Sequence, residues 1–162
     1  MPGDEEGTMA GDPSLYRREP GSIRPHGAQI RAVWQWTAEL RRRRDNAPAL
    51  EGAYRALEWA IGISNTPPVT GRRYLHPGMM VDVAFTHPHE TDVHKPVSRP
   101  GLAEEARVAQ IHTGDPDDAV AHYCTGAYGV LAWWMGAAEL PEQLIPDQAE
   151  FRVKRQRTSA AA

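Results

Sequence analysis

The sequence predicts an all-α fold in which a helical hairpin occurs twice, and the two copies are expected to form a four-helix bundle. The segment 52–62 recurs as 126–136 with the shared pattern Gly-Ala-Tyr-x-x-Leu-x-Trp-x-x-Gly, at an offset of 74 positions (126 − 52). Pro67 and Pro141 keep the same offset. In each copy the apolar residues follow the four-three-four spacing of a helix that buries one face. We therefore expect an internal pseudo-two-fold axis between the two halves.

The first hairpin is predicted to span residues 26–63. Its first helix starts near Pro25 or His26 and runs to about residue 45, on an apolar stripe of Ile30, Val33, Trp34, Thr37 and Leu40. The link 46–48 is short, and Pro48 suits the first turn of a second helix that runs to about residue 63. A connection of this length favours an antiparallel pair.

The second hairpin is predicted to span residues 101–148. A third helix, 101–112, has a stripe of small or aliphatic residues at Leu102, Ala106 and Ala109. Asp115 is expected to cap the fourth helix, with Pro116 at the first helical position, and this helix runs to about residue 136. Gly62 and Gly136 are expected to end the two repeated helices in left-handed turns. A short turn is expected within residues 139–146.

Three segments surround the predicted hairpins. Residues 1–25, rich in Gly, Pro and acidic residues, are expected to form a flexible arm. Residues 64–100 form a long central loop rich in Pro and His, in which the alternating run 79–85 would form a brief strand. Residues 149–162 are predicted to be a basic, then Ala-rich, tail. The helical domain is thus expected to span residues 26–148.

The repeated tryptophans lie off the apolar stripe of their helices. Trp59 and Trp133 sit about 140° from the tyrosine of the same copy. Two interpretations remain open: a helix buried on two sides, or an exposed aromatic anchor for a partner or a second subunit. The candidate partner-binding residues are Trp36, Trp59, Trp133 and Trp134.

Composition limits the classes of function. A chain of 162 residues can bury one core, and its net charge of −3 gives no prior for a nucleic-acid or membrane partner. The single Cys124 excludes an internal disulfide framework and is expected to pack as a small apolar residue. The first residues do not resemble a signal peptide, and the apolar run 126–138 is too short to span a bilayer. We therefore expect a cytoplasmic location.

The central loop offers a possible metal site. His87, His89 and His94 could converge, with Glu90 or Asp92 completing a zinc site. The spacing of these histidines matches no familiar metal motif. The alternatives are a solvated His-rich loop without a cofactor and a loop that responds to pH. The sequence therefore predicts no cofactor, with zinc as the alternative.

Clustered arginines offer a possible phosphate-binding surface. The candidates for contact with nucleic acid are Arg41, Arg42, Arg43, Arg44, Arg72 and Arg73. The alternative is that the first four complement the dipole at the end of a helix. No nucleophile motif, phosphate loop or catalytic order is present, and no residue is proposed as catalytic.

The run Ala-Leu-Glu-Trp-Ala-Ile-Gly at 56–62, followed by Pro-Pro-Val-Thr-Gly at 67–71, resembles a motif in small uncharacterised helical proteins. These proteins come from phages, plasmids and similar mobile elements of GC-rich actinobacteria. The resemblance covers about a tenth of the chain and implies no activity; the second copy of the repeat lacks the Pro-Val-Thr-Gly continuation. The sequence therefore predicts a non-enzymatic interaction module that binds another protein or itself, with metal binding and nucleic-acid binding as alternatives.

Overall fold

The computed structural model describes residues 12–44, 47–71 and 97–147. These ranges contain four α-helices: α1 (Gly27–Arg43), α2 (Pro48–Ile61), α3 (Arg99–Ile111) and α4 (Asp118–Trp134). Short 3-10 turns occupy Pro13–Tyr16, His112–Gly114 and Glu142–Leu144, and these described ranges contain no strand. The all-α prediction is confirmed. The predicted strand at 79–85 and the tail at 149–162 lie outside the described residues.

Local features at the N-termini of α1, α2 and α3 explain why the predicted helix starts lie within two residues of the observed ones. The backbone N–H of His26 donates to Gln29 Oε1 at 2.9 Å just before α1, and Pro48 occupies the first turn of α2. α3 starts two residues earlier than predicted, because Ser98 Oγ accepts the Gly101 N–H at 3.2 Å and forms the cap.

The predicted cap of α4 was wrong by two residues. Asp117, rather than Asp115, caps this helix, and its carboxylate accepts the N–H of Ala119 at 2.9 Å. Asp115 instead accepts the N–H of Asp117, also at 2.9 Å. Both aspartates make the same local turn, so the sequence alone does not distinguish them; the helix begins after the second one.

The central pair of the fold is α2 and α4; α1 packs on α2, and α3 packs on α4. At the crossing Gly52 faces the backbone carbonyl of Tyr123, and Gly126 faces the backbone carbonyl of Ala49. A methyl group at either glycine would overlap that carbonyl. The two contacts are reciprocal in the repeat, because Tyr123 follows Ala49, and Gly126 follows Gly52, by the same offset of 74 positions (123 − 49 and 126 − 52).

The two repeated helices also end alike. Gly62 and Gly136 adopt left-handed backbone angles, with φ of 99° and 79°. Each helix ends in a Schellman motif, so the predicted glycine stops are confirmed. The bonds of the two motifs are Gly62 N–Trp59 O (3.1 Å), Ile63 N–Glu58 O (2.9 Å), Gly136 N–Trp133 O (2.9 Å) and Ala137 N–Ala132 O (2.8 Å).

Part of the segment expected to be a flexible arm packs on α4, which corrects that boundary for residues 12–25. Tyr16 is buried, and its carbonyl accepts the indole N–H of Trp133 at 2.8 Å. Arg18 Nη1 donates to the carbonyls of Trp133 and Trp134. These carbonyls lie at the C-terminus of α4, where a helix leaves its own acceptors unsatisfied. Composition suggested disorder, but these long-range bonds hold the segment in place.

Candidate functional site

The four tryptophans proposed as partner-binding residues lie inside the fold. The exposed fraction is 0% for Trp133, 5% for Trp134, 7% for Trp36 and 8% for Trp59. Side chains this well covered offer a partner little surface, so their assignment as exposed anchors is corrected to core residues. The structure supports the interpretation of helices buried on two sides. Trp134 alone among them also lines a groove at the surface.

The arginines at the end of α1 are paired with carboxylates. Arg41 Nε donates to Glu51 Oε2 at 2.6 Å, while Arg42 and Arg43 both reach Glu39, at 2.8 and 3.3 Å. The hydrogen bond to Glu51 raises the pKa of Arg41. Local carboxylates therefore offset much of the charge that a phosphate would need. Arg44 is exposed, and Arg72 and Arg73 lie outside the described residues, so nucleic-acid binding stays a prediction.

The predicted metal ligands His87, His89 and His94 also lie outside the described residues. Within residues 12–44, 47–71 and 97–147, no group of His, Cys, Asp or Glu is arranged to hold a metal ion. Cys124 is buried in the core, as predicted. Burial, followed by the nearby charges of Asp115 and Glu105, raises the pKa of its thiol to about 11. A thiol in this environment is a poor nucleophile at neutral pH.

A groove, named here the terminal groove, lies at the end of the domain where α2 and α4 end and α1 and α3 begin. Its volume is about 530 Å³. The lining that the structure describes is mostly apolar, and its only charged members are two arginines. The lining residues are Ile23, Arg24, Ile30, Ala60, Ile61, Val97, Arg99, Leu102, Trp134 and Met135.

Both halves of the chain contribute matched positions to the terminal groove. Its apolar lining contains Ile23 and Val97, Ala60 and Trp134, and Ile61 and Met135, three pairs separated by the repeat offset of 74 positions (97 − 23, 134 − 60 and 135 − 61). The offset is visible in the sequence, but the composition of residues 1–25 and 64–100 predicts an arm and a loop rather than packed segments. Sequence reasoning therefore missed the Ile23 and Val97 pair.

The charged side chains in the described lining of the terminal groove are both arginines. Arg24 is exposed and forms no ion pair or hydrogen bond with the part of the chain that the structure describes. Arg99 is exposed too, and its Nη2 donates to the carbonyl of Met135 at 3.5 Å. Arg18 lies close by: burial first, and then the charge of Arg99, lower its pKa. None of the described residues that line the groove carries a carboxylate that could offset these guanidinium groups.

A buried carboxylate on α3 holds the 67–71 turn against the helices. Glu105 is 3% exposed; its Oε2 accepts the N–H groups of Val69 and Thr70, and Oε1 accepts the hydroxyl of Thr70 at 2.7 Å. The hydroxyl of Tyr123 donates to the carbonyl of Pro68 at 2.6 Å. Burial raises the pKa of Glu105, the bonds from Thr70 and Val69 lower it, and the charge of Glu104 raises it. These contacts give Glu105 and Tyr123 a structural role.

Comparisons with protein-family models, with curated proteins and with solved structures find no match to this chain. The resemblance to proteins of mobile elements therefore stays a prediction. None of the described helices is both long enough and apolar enough to cross a bilayer.

Proposed function

We propose that the protein is a small helical interaction module that binds a segment of another protein in the terminal groove. The observation that carries this proposal is an apolar groove of about 530 Å³ with a large, exposed side chain at its edge. That side chain, Ile23, is 77% exposed, although it lies among apolar neighbours. Apolar grooves lined by helix ends accommodate apolar side chains of a partner without further folding of the host.

We also propose that the terminal groove is a product of internal duplication, in which a pseudo-two-fold axis relates the halves of a four-helix bundle. The reciprocal contacts of Gly52 and Gly126 and the matched Schellman motifs support this proposal. The groove pairs add a third argument, because a two-fold axis brings equivalent residues to the same site. Duplication explains why one cavity is lined by positions that are far apart in the chain.

The test is a selection of peptides from a random library on the immobilised full-length protein. The matched variants are Ile23→Asp, at the groove, and Ile111→Asp, at an isoleucine that is 60% exposed and does not line the groove. Both replace an exposed isoleucine by the same charged residue, so both should fold. Selected peptides should carry a large apolar residue and bind wild type and Ile111→Asp equally, but Ile23→Asp at least about tenfold more weakly.

The proposal fails if no selected peptide distinguishes the two aspartate variants. Equal loss of binding in both would assign the effect to the added charge rather than to the groove. Circular dichroism of each variant confirms that the fold is retained before binding is compared.

A further inference from the structure

We infer that the occupant of the terminal groove is an acidic, apolar segment of a different protein rather than a second copy of this chain. This inference rests on the proposed function and adds the chemistry of the partner. It starts from the two charged residues among the described lining, Arg24 and Arg99, and from the absence of a carboxylate among those described lining residues.

The helix ends contribute little net charge at this site. Two helices end here and two begin, and each end carries roughly half an elementary charge of opposite sign, so the four contributions nearly cancel. Arg18 donates to the carbonyls at the end of α4, and Arg99 reaches the carbonyl of Met135 that follows it. These neutral acceptors satisfy hydrogen bonds but do not neutralise a guanidinium charge. Among the described residues, the net charge of the site therefore comes from its arginines and is positive.

Two described acids, each four positions from a lining residue in the chain (23 − 19 and 139 − 135), pair with residues other than the groove arginines. Glu19 lies 2.9 Å from His26 Nε2, and Glu139 lies 3.5 Å from Arg17 Nε. Within the described ranges, neither acid bonds to Arg24 or Arg99, and neither lines the groove. A partner that supplies a carboxylate beside its apolar anchor would form charge-assisted hydrogen bonds with these exposed guanidinium groups. Placed over apolar walls, such a pair also fixes the direction of the bound segment.

The same charges argue against self-association through this face. A symmetric contact would place the groove of one copy against the groove of the other, and would bring Arg24 and Arg99 of both copies together. Like charges that face each other across an interface repel and weaken association. An acidic segment of another protein avoids this repulsion and fills the same apolar surface.

The experiment uses a peptide selected on the full-length protein and a version in which its Asp and Glu residues are replaced by Asn and Gln. Binding is measured by fluorescence anisotropy to wild type, Arg24→Glu, Arg99→Glu and a control, Arg31→Glu. Arg31 is an exposed arginine of α1 that does not line the groove. We expect each groove variant to bind the acidic peptide about tenfold or more weakly, and the control to bind within about twofold.

Three outcomes separate this inference from the proposed function. The inference is supported if wild type binds the neutral peptide more weakly than the acidic peptide, and if high salt weakens binding of the acidic peptide. Binding that depends on Ile23 but is unchanged in both groove arginine variants overturns the acidic partner and leaves the proposed function in place. A concentration-dependent dimer in sedimentation velocity that Ile23→Asp abolishes would instead assign the groove to a second copy.

Discussion

Replacement of Glu105 by Gln or Ala separates the two contributions of this buried carboxylate, its hydrogen bonds and its charge. A Gln side chain keeps the shape: its carbonyl can accept the N–H groups of Val69 and Thr70, and its amide can donate to the hydroxyl of Thr70. Ala removes all of these partners. The two variants therefore differ in hydrogen bonding, whereas wild type and Gln differ in the presence of an ionisable group.

The magnitude for Glu105→Ala follows from the groups left without a partner. Val69 is 1% exposed, and its N–H would be buried and unsatisfied, at a cost of about 1–3 kcal/mol. Loss of the buried methylene group of Glu105 adds about 1 kcal/mol. We expect the free energy of unfolding of Glu105→Ala to lie about 2–4 kcal/mol below that of Glu105→Gln. Urea unfolding followed by circular dichroism measures this difference, with equal m-values as the control.

The pH dependence tests the charge of Glu105. Burial is the largest influence on its pKa and raises it above the usual value of 4.5. The folded state therefore holds the proton more tightly than the unfolded state does. The contribution of Glu105 to stability is fully present below pH 4.5 and is lost as the pH rises through the folded pKa.

Subtracting the unfolding free energy of Glu105→Gln from that of wild type removes the titration of all other groups. This difference should fall as the pH rises from 4.5 and become constant above the folded pKa. A difference that increases over the same range would show that the hydrogen bonds outweigh burial. That result would refute the reasoning about the charge, and equal stability of the Gln and Ala variants would refute the reasoning about the hydrogen bonds.

The remaining predictions concern the helix crossing, the helix ends and the core. Gly126→Ala should lower the free energy of unfolding by about 1–3 kcal/mol or more, because its methyl group would overlap the carbonyl of Ala49. Gly27→Ala is the control, since nothing lies within 4 Å of its added methyl group, and it should be neutral or slightly stabilising in denaturant titrations. Gly136→Ala should cost about 1–2 kcal/mol through its left-handed backbone alone, and a neutral result in the same titration would contradict the assigned turn. The Cys124 thiol should react with a disulfide reagent only after unfolding, because it is buried with a pKa raised to about 11; fast labelling of the native protein at pH 8 would count against this burial.

Local signals in the sequence were sufficient to predict the helices. Pro48 and the glycines at 62 and 136 mark a start and two stops by their backbone chemistry, which depends little on tertiary contacts. The structure places all three at the predicted positions. The small residues of α3 were also correctly assigned to the core, since Ala106 and Ala109 are buried.

Features that depend on distant contacts were not predictable in the same way. Glu104 and Glu105 are adjacent acids in the sequence, but one is exposed and paired with Arg107 while the other is buried under the 67–71 turn. Arg18 lay in a segment whose composition suggested disorder, and its partners are more than a hundred residues away in the chain. The terminal groove depends on such contacts, so the sequence showed the repeated motif but did not predict the groove.

The proposed two-fold relation is tested most directly by distances between pairs of nitroxide labels, measured by double electron–electron resonance. In a Cys124→Ala background, one protein carries labels at positions 63 and 125, and a second carries labels at positions 51 and 137. The repeat offset of 74 positions relates 63 to 137 (137 − 63) and 51 to 125 (125 − 51), so a two-fold axis makes the two distances equal. We predict coincident distance distributions for the two proteins. Clearly different mean distances in proteins that retain the native fold would contradict a two-fold relation between the halves.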